Sequence, residues 1–533
     1  MPPQRASFAE QADPEQTARR IRAFLETHPE AAVLEHGSVL FDLRVSQWNV
    51  RAEHGRCTLH LWNDERNLTR RVLAMEERAS GLRLSVQRFG QTKPQTLDLM
   101  GKQDRRVPTT RDAGRTQYLR TLERVLQREF PDWKPVGFRT AMDLEKSFGP
   151  AYARGVLTHG QQALAVIGVG PEESSATIDG ILTLGILWLQ HCREHAAGKH
   201  LFAGLRIVVP RGMAVLTLAR MAWLNPRIAQ WELYELDPRS EDLEQREPAD
   251  HGNLKTRLLH AANEEAARER FATAIAQVME LVPEEGHPLV EQRLRSTTEM
   301  AFLLHGLEFA RAEMNVSANS FAHDVQISFG AGVNETRLDT TNRETLRTMT
   351  AGLFARRKPV GDSNDPVYRM QPERWMESRL RTQLPLVDEA LLPAPVYAQV
   401  PAFAATDRGM LDLLGVTKDG RLAVLELKAD EDLHLALQAL DYWIRVRWHA
   451  TPQVHETVNP LQRHGYFTGM VLSRLDPLLY LVAPALRIHP ATEVVLRHLK
   501  PEVEWQLVAL DEHWRSHIKT VFRKRSTQKK QEH

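Results

Sequence analysis

Three side chains between Asp407 and Tyr442 stand out for their type and their surroundings. The run reads DRGMLDLLGVTKDGRLAVLELKADEDLHLALQALDY. Met410 to Val416 is apolar except for Asp412, and Leu422 to Leu425 is apolar before Glu426 and Lys428 arrive. Glu426 and Lys428 are two apart, so on a strand they project to one face. Charged groups at the end of a strand that is apolar on both faces are rarely buried unpaired. Two carboxylates side by side repel, and one is pushed towards protonation unless a cation lies between them. A hard cation such as Mg²⁺ or Mn²⁺ takes oxygen ligands and keeps several waters. An adjacent lysine can hold a water or a phosphate oxygen. Together these groups supply what hydrolysis of a phosphodiester needs.

The elements that must position them are a hairpin and a helix. Lys418-Asp419-Gly420 is a turn, because Asp-Gly supplies the positive φ that a two-residue loop needs. A turn there sets Asp412 and Glu426 nearly opposite each other on adjacent strands. The next segment is helical and carries Gln438 and Tyr442 four apart, on one face.

An aspartate, thirteen residues, then Glu426-Leu427-Lys428, then QxxxY on the following helix resembles the core of the PD-(D/E)xK nucleases. Within that superfamily the run is similar to the C-terminal domain of NucS-type endonucleases, over about residues 370–512. ExK alone is a weak signal, whereas the full spacing across a hairpin is a strong one. The bland alternative, a surface hairpin with an exposed Glu/Lys pair, leaves the charges at the end of an apolar strand unexplained. The resemblance implies a restriction-endonuclease-like α/β fold and Mg²⁺- or Mn²⁺-dependent cleavage of nucleic acid, with DNA favoured. It implies that Asp412 and Glu426 hold the metal and Lys428 orients the attacking water. Gln438 and Tyr442 would support the site or touch phosphate. Such folds often add an acid from their first helix, here Met370 to Leu384, and Glu377 is the candidate. Glu373 suits a first-turn acid favoured by the helix dipole. The competing reading is a catalytically silent nucleic-acid-binding or assembly protein that keeps the fold.

The 533-residue chain has room for roughly two to four domains. Apolar residues at 42% and charged residues at 26% are those of an ordinary globular protein. A net charge of +1 gives no global basic signature, so a nucleic-acid surface must be a local patch. Two cysteines, Cys57 and Cys192, argue against a disulfide framework or a cysteine zinc site and suit a reducing cytoplasm. The opening MPPQRASFAEQADPEQ lacks the apolar core of a signal peptide, and no apolar run is long enough to span a bilayer, so no membrane partner is expected. A homodimer is a candidate assembly.

Residues 1–14 are expected to be disordered, with a short helix from Glu15 to Leu25. Within an N-terminal β-rich domain over 15–105, residues 33 to about 100 alternate in five or six short strands, suggesting a small barrel or curled antiparallel sheet. Arg70, Arg71, Arg78, Arg83, Arg88 and Lys93, with Trp48, Trp62 and Phe89 among them, could hold single-stranded nucleic acid or simply be a solvated face. Residues 106–240 repay comparison with residues 361–515. LAVIGVG (164–170), LRIVVP (205–210) and WELYEL (231–236) follow the same order as LAVLELK (422–428), LYLVAP (479–484) and WQLVAL (505–510). This reads as a degenerate duplication, with Gly168 and Gly170 standing where Glu426 and Lys428 stand and Gly180 and Leu184 in place of Gln438 and Tyr442. A first copy without carboxylates should be catalytically dead.

Asp237 to Asn253 reads as a charged loop. Residues 241–360 read as a helical extension with irregular strands and a linker, with helices over Leu254–Val282 and Val290–Met300. The glycines after Phe329 fit neither a P-loop nor a dinucleotide fingerprint. Residues 516–533 read as a disordered basic tail. His434 and His449 read as surface residues.

Overall fold

The computed structural model describes residues 13–526, apart from 36–37, 45, 54, 63–66, 79–80, 88–93, 102–109, 143–146, 197, 248–256, 259, 262, 317–322, 331–334, 404–407 and 452–457. The architecture is mixed α/β with four sheets, divided into two compact units, Met1–His251 and Gly252–His533. Among the described residues, no helix is long and apolar enough to cross a membrane. Cys57 and Cys192 are buried free thiols.

The N-terminal unit opens with the helix Pro14–Thr27, capped by the Asp13 side chain, which accepts from Glu15 N. Ala18, Ile21 and Leu25 on one face of this helix bury into a core shared with Leu59, Leu61, Leu84 and Leu97 of an antiparallel sheet. Among the described residues that sheet has seven strands, with Ser38–Asp42 and Gln47–Glu53 at its two edges, and these two edges do not pair to close a barrel. Its arginines are largely matched from within. Arg70 is buried, 3.9 Å from Glu35, while Arg83 and Arg78 pair with Asp98 at 2.6 Å and Glu76 at 2.9 Å. Trp48 packs on the core and Trp62 stacks on His60. Arg88, Phe89 and Lys93 lie outside the described residues.

The same unit continues through helix α1 (Thr110–Glu129) into a mixed sheet. Its strands are β1 (Lys134–Arg139), β2 (Tyr152–His159), β3 (Gln162–Val169), β4 (Leu201–Pro210), β5 (Gln230–Asp237) and β6 (Asp242–Arg246). Helix α2 (Ile181–Glu194) connects β3 to β4. The stretch after Asp237, expected as loop, thus supplies an edge strand: a turn with Glu241 at φ 58° sends the chain back along β5. Charged residues there occupy a half-exposed sheet edge, which a composition reading cannot tell from a loop.

In the C-terminal unit the helices Glu264–Arg270 and Ala272–Met279 cover part of the expected helical stretch, and Arg257–Leu258 is a short strand. Val290–Met300, expected as helix, is instead the strand Val290–Ser296 and the start of Glu299–Leu304. These open a five-stranded antiparallel sheet ending at Thr336–Arg337. Tertiary pairing overrides the helix-like Glu/Arg pattern, because Met300, Phe302 and Leu304 bury on one face.

Helix α3 (Pro372–Arg381) leads to the last sheet, with strands β7 (Tyr397–Phe403), β8 (Arg408–Val416), β9 (Leu422–Leu427), β10 (Leu478–Pro484), β11 (Trp505–Leu510) and β12 (Thr520–Arg525). Helix α4 (Leu435–Ala450) joins β9 to β10. Arg257–Leu258 adds a further strand beside β7. Part of the basic tail is therefore ordered: Thr520–Arg525 pairs antiparallel with β11. The residues from 527 onward lie outside the description.

The strands β1–β6 and β7–β12 share one order and one set of directions. In each, two antiparallel pairings are followed by two parallel ones and a final antiparallel one. Register agrees as well: Leu205 lies across from Trp231 and Pro210 from Leu236, as Leu479 does from Trp505 and Pro484 from Leu510. Ala165 pairs with Leu205, whereas Val424 pairs with Leu479. Glu426 therefore corresponds to Ile167 and Lys428 to Val169, one residue away from Gly168 and Gly170. The faces concur, since Leu164 and Val166 pack with Leu122 of α1, and Leu425 and Leu427 pack with Trp375 and Leu380 of α3. Matching leucine to leucine in sequence slips the strand by one and exchanges its two faces.

Across from Ile167 lies Arg154, the counterpart of Asp412. Arg154 is 1% exposed, donates to Ala141 O at 2.7 Å and stacks over Phe148 at 4.3 Å. Gly168 turns to the other face, where a methyl group would meet Tyr118 Oη at 2.8 Å and Leu122 Cδ2 at 2.9 Å. Gly168→Ala should therefore destabilise the fold by about 1–3 kcal/mol through overpacking against α1. A urea titration reads this directly, and unchanged stability would contradict the assigned face.

Candidate active site

The hairpin β8–β9 is closed at Gly420, whose φ is +80°. Thr417 Oγ1 accepts from Arg421 N at 2.9 Å, and Arg421 grips Glu504 with two nitrogens at 3.0 Å each. Pairing of Leu413 with Leu425 brings the next residues along, Asp412 and Glu426, directly across from each other. β9 lies between β8 and β10, so its end is enclosed by strands on both sides. Lys428 N donates to Val482 O at 3.0 Å, which carries the pairing one residue past the strand and fixes the lysine backbone.

Asp412 Oδ2 accepts from Leu427 N at 2.9 Å. Glu426 is 3% exposed; its Oε1 lies 3.4 Å from Lys428 Nζ, and its Oε2 is buried with no hydrogen-bond partner among the described residues. Lys428 Nζ is also 3.4 Å from Asp432 Oδ2. Asp432 itself is held in place by His434 N, which donates to its Oδ1 at 2.7 Å.

Burial pushes Asp412 up to about 6, with the nearby Glu377 charge adding and Lys428 opposing. Burial, then the neighbouring Asp412, drives Glu426 well above the carboxylate range. Lys428 is desolvated too, but Asp432, Glu426, Asp412 and Glu373 outweigh that and raise its pKa, so it stays protonated. Burial and the same two carboxylates raise Tyr442, keeping its phenol neutral within their field. Gln438 is half-buried on α4, one turn before Tyr442.

Glu377 sits on the buried side of α3, 1% exposed. Its Oε1 accepts from Arg293 Nη1 at 2.5 Å, and its Oε2 from Arg374 Nη1 at 2.9 Å and from the Gln399 amide. Both oxygens are thus committed, and Glu377 reaches Asp412 as a charge. Glu373, one turn earlier, acts on Lys428 in the same way. The structure brings Asp412, Glu426, Lys428 and Tyr442 into one neighbourhood. Asp432 escaped the sequence reading, although its position four residues after Lys428, in an Asp-Glu-Asp run, is a usable signal. His449 is half-buried rather than on the surface, and burial pushes it down to about 4.

Among the described residues, no three His, Cys, Asp or Glu side chains converge closely enough to hold a metal on their own. Two carboxylates with water in the remaining positions still suit Mg²⁺, which seldom takes an all-protein cage. The partnerless Oε2 of Glu426 and the mutual repulsion of the pair are what a cation would relieve. No protein-family model matches this sequence, and no curated protein or solved structure matches it either.

The raised carboxylates have a consequence for stability. Where the folded pKa exceeds the unfolded one, the native state holds the extra proton, and stability falls as pH rises through the folded value. Without metal, the protein should lose stability as pH rises from the ordinary 3.8 of Asp412 through about 6. Asp412→Asn should flatten that slope, since it also removes the repulsion acting on Glu426. Urea midpoints in EDTA across this range test it; equal slopes in both proteins would contradict the coupling.

Proposed function

We propose that this chain is a metal-dependent nuclease that hydrolyses phosphodiester bonds in nucleic acid, with DNA the favoured substrate. The observation that carries the reading is a buried pair of carboxylates, one with a free oxygen, beside a protonated lysine. Asp412 and Glu426 would hold Mg²⁺ or Mn²⁺, which would activate water and shield the phosphate charge. Lys428, steadied between Glu426 and Asp432, holds a water or a phosphate oxygen and answers the negative charge that builds in the transition state. Tyr442 remains a neutral donor, and Gln438 lies beside it as a second polar group for phosphate. Glu377, bound by Arg293, Arg374 and Gln399, raises the basicity of Asp412 from behind. Arg154 and Ile167 take the places of the carboxylates in the N-terminal unit, so that sheet is read as inactive, its frame kept for packing or for holding nucleic acid.

A catalytically silent binding or assembly role is the second reading, and the committed oxygens of Glu377 are what favour it. Metal titration separates the two, because a pair with no metal function gains no stability from Mg²⁺ or Mn²⁺.

The direct test is incubation of the full chain with labelled single-stranded, double-stranded and mismatched DNA in Mn²⁺. Asp412→Ala and Glu426→Ala should each abolish cleavage with the fold retained. Lys428→Ala should lower turnover by roughly 10²–10³-fold while metal affinity changes little. Cleavage that persists in either carboxylate variant contradicts the site, and equal losses of turnover and metal affinity would make the lysine a structural partner of Glu426.

A further inference from the structure

Strands β9, β10 and β11 run parallel, so their C-terminal ends share one edge of the sheet, the edge where open α/β sheets take ligands. Lys428 follows β9 directly, Arg487 follows the end of β10 at Pro484, and Arg515 follows the end of β11 at Leu510. The three connecting segments are tied together. His489 Nε2 lies 3.5 Å from Glu431, joining the first to the second, and Leu486 N donates to Glu512 Oε1 at 2.8 Å, joining the second to the third.

Arg515 is oriented by aromatic faces, with its guanidinium 4.3 Å from the Trp514 ring, 4.8 Å from Tyr368 and 5.3 Å from Trp375. Among the described residues, Arg515 Nε and Arg487 Nη1 are buried without a hydrogen-bond partner, and neither arginine lies within ion-pair distance of a carboxylate. A buried charged donor left unpaired costs free energy. Burial lowers the pKa of Arg515, Asp430 and Glu373 act on it from a distance, and Arg487 repels it. Glu373 acts on Lys428 as well as on Arg515. The strands involved span two inter-strand spacings, about 10 Å, a distance that a short stretch of polynucleotide backbone can follow. Planar guanidinium groups suit phosphate oxygens through paired donors.

We propose that Arg487 and Arg515 form an anion subsite that holds a backbone phosphate of the polynucleotide next to the one held at Lys428, an inference that rests on the nuclease reading of the Asp412–Glu426–Lys428 centre. The probe is a fluorescein-labelled single-stranded 20-nucleotide DNA, with anisotropy measured against salt in the full chain carrying Glu426→Gln. On that background, Arg487→Gln and Arg515→Gln should each weaken binding by about tenfold. Each should also lower the log–log salt slope by about 0.7, the loss of one phosphate contact. Arg487→Lys should recover part of the affinity with the full slope. Thermal melts run alongside; among the described residues Arg487 stacks on no aromatic ring, so its variant carries the test even if Arg515→Gln unfolds. An unchanged affinity and slope in Arg487→Gln, or no binding by the parent protein, overturns the subsite. Cleavage by the wild-type chain keeps the two ideas apart. Reduced slopes without any wild-type cleavage retain the subsite and remove the hydrolase reading. Asp412-dependent cleavage with unchanged slopes does the reverse.

Discussion

Asp412 and Glu426 face each other across one hairpin in the middle of a sheet, where burial and like charge both oppose ionisation. Much of the C-terminal unit can be understood as accommodating that pair. Leu427 N donates a hydrogen bond to Asp412, Lys428 Nζ brings a positive charge to Glu426, and Asp432 shares that amine. A third carboxylate, Glu377, is tolerated close by because two arginines meet it. One of them, Arg293, comes from the antiparallel sheet of the same unit, so that sheet bears on the site's electrostatics. The attachment is broad: His305 stacks on Trp375 with ring centroids 4.9 Å apart, and Arg357 donates to Leu304 O at 3.1 Å and Met370 O at 2.8 Å. Moving that sheet would shift α3 and with it the charge behind Asp412.

The two mixed sheets hold the same strand order with opposite electrostatics at the matching place. In the C-terminal unit a carboxylate pair looks onto α4; in the N-terminal unit a guanidinium and an isoleucine look onto α2. Arg154 donates through its two terminal nitrogens to the Gly149 and Ala141 carbonyls and sets its flat faces towards Phe148 and Trp188. One frame can therefore carry either a charged centre or a packed core, depending on which residues occupy two strand positions.

How much of this was legible in the sequence follows from how local each signal is. Asp419-Gly420 and the single acid in an apolar run define the hairpin, and a hairpin turn fixes which residues face across it. The repeated strand order was visible from three short apolar motifs. Its register was not, because the alignment of β3 with β9 is set by their parallel neighbours, and those lie more than thirty residues away. The strands at Val290–Ser296 and Thr520–Arg525 were hidden for a related reason: charged edge strands look like solvated helix or tail until a partner strand is known. Glu377 was expected from its helix position to add an acid to the metal centre, but its occupation by Arg293 and Gln399 depends on two distant segments. Arg487 and Arg515 carry no local motif, and only the order of three parallel strands puts the segments that hold them on the same sheet edge as Lys428.

The claim at the centre of this account is that the Asp412–Glu426 pair is a cation site and its counterpart in the N-terminal unit is not. Mn²⁺ binding to the full chain, followed by electron paramagnetic resonance, measures this without reference to any substrate. The account predicts one bound ion per chain, lost in Glu426→Gln, with affinity rising as pH rises through about 6 and the carboxylates give up their protons. No bound ion, or an ion that survives Glu426→Gln, would contradict it.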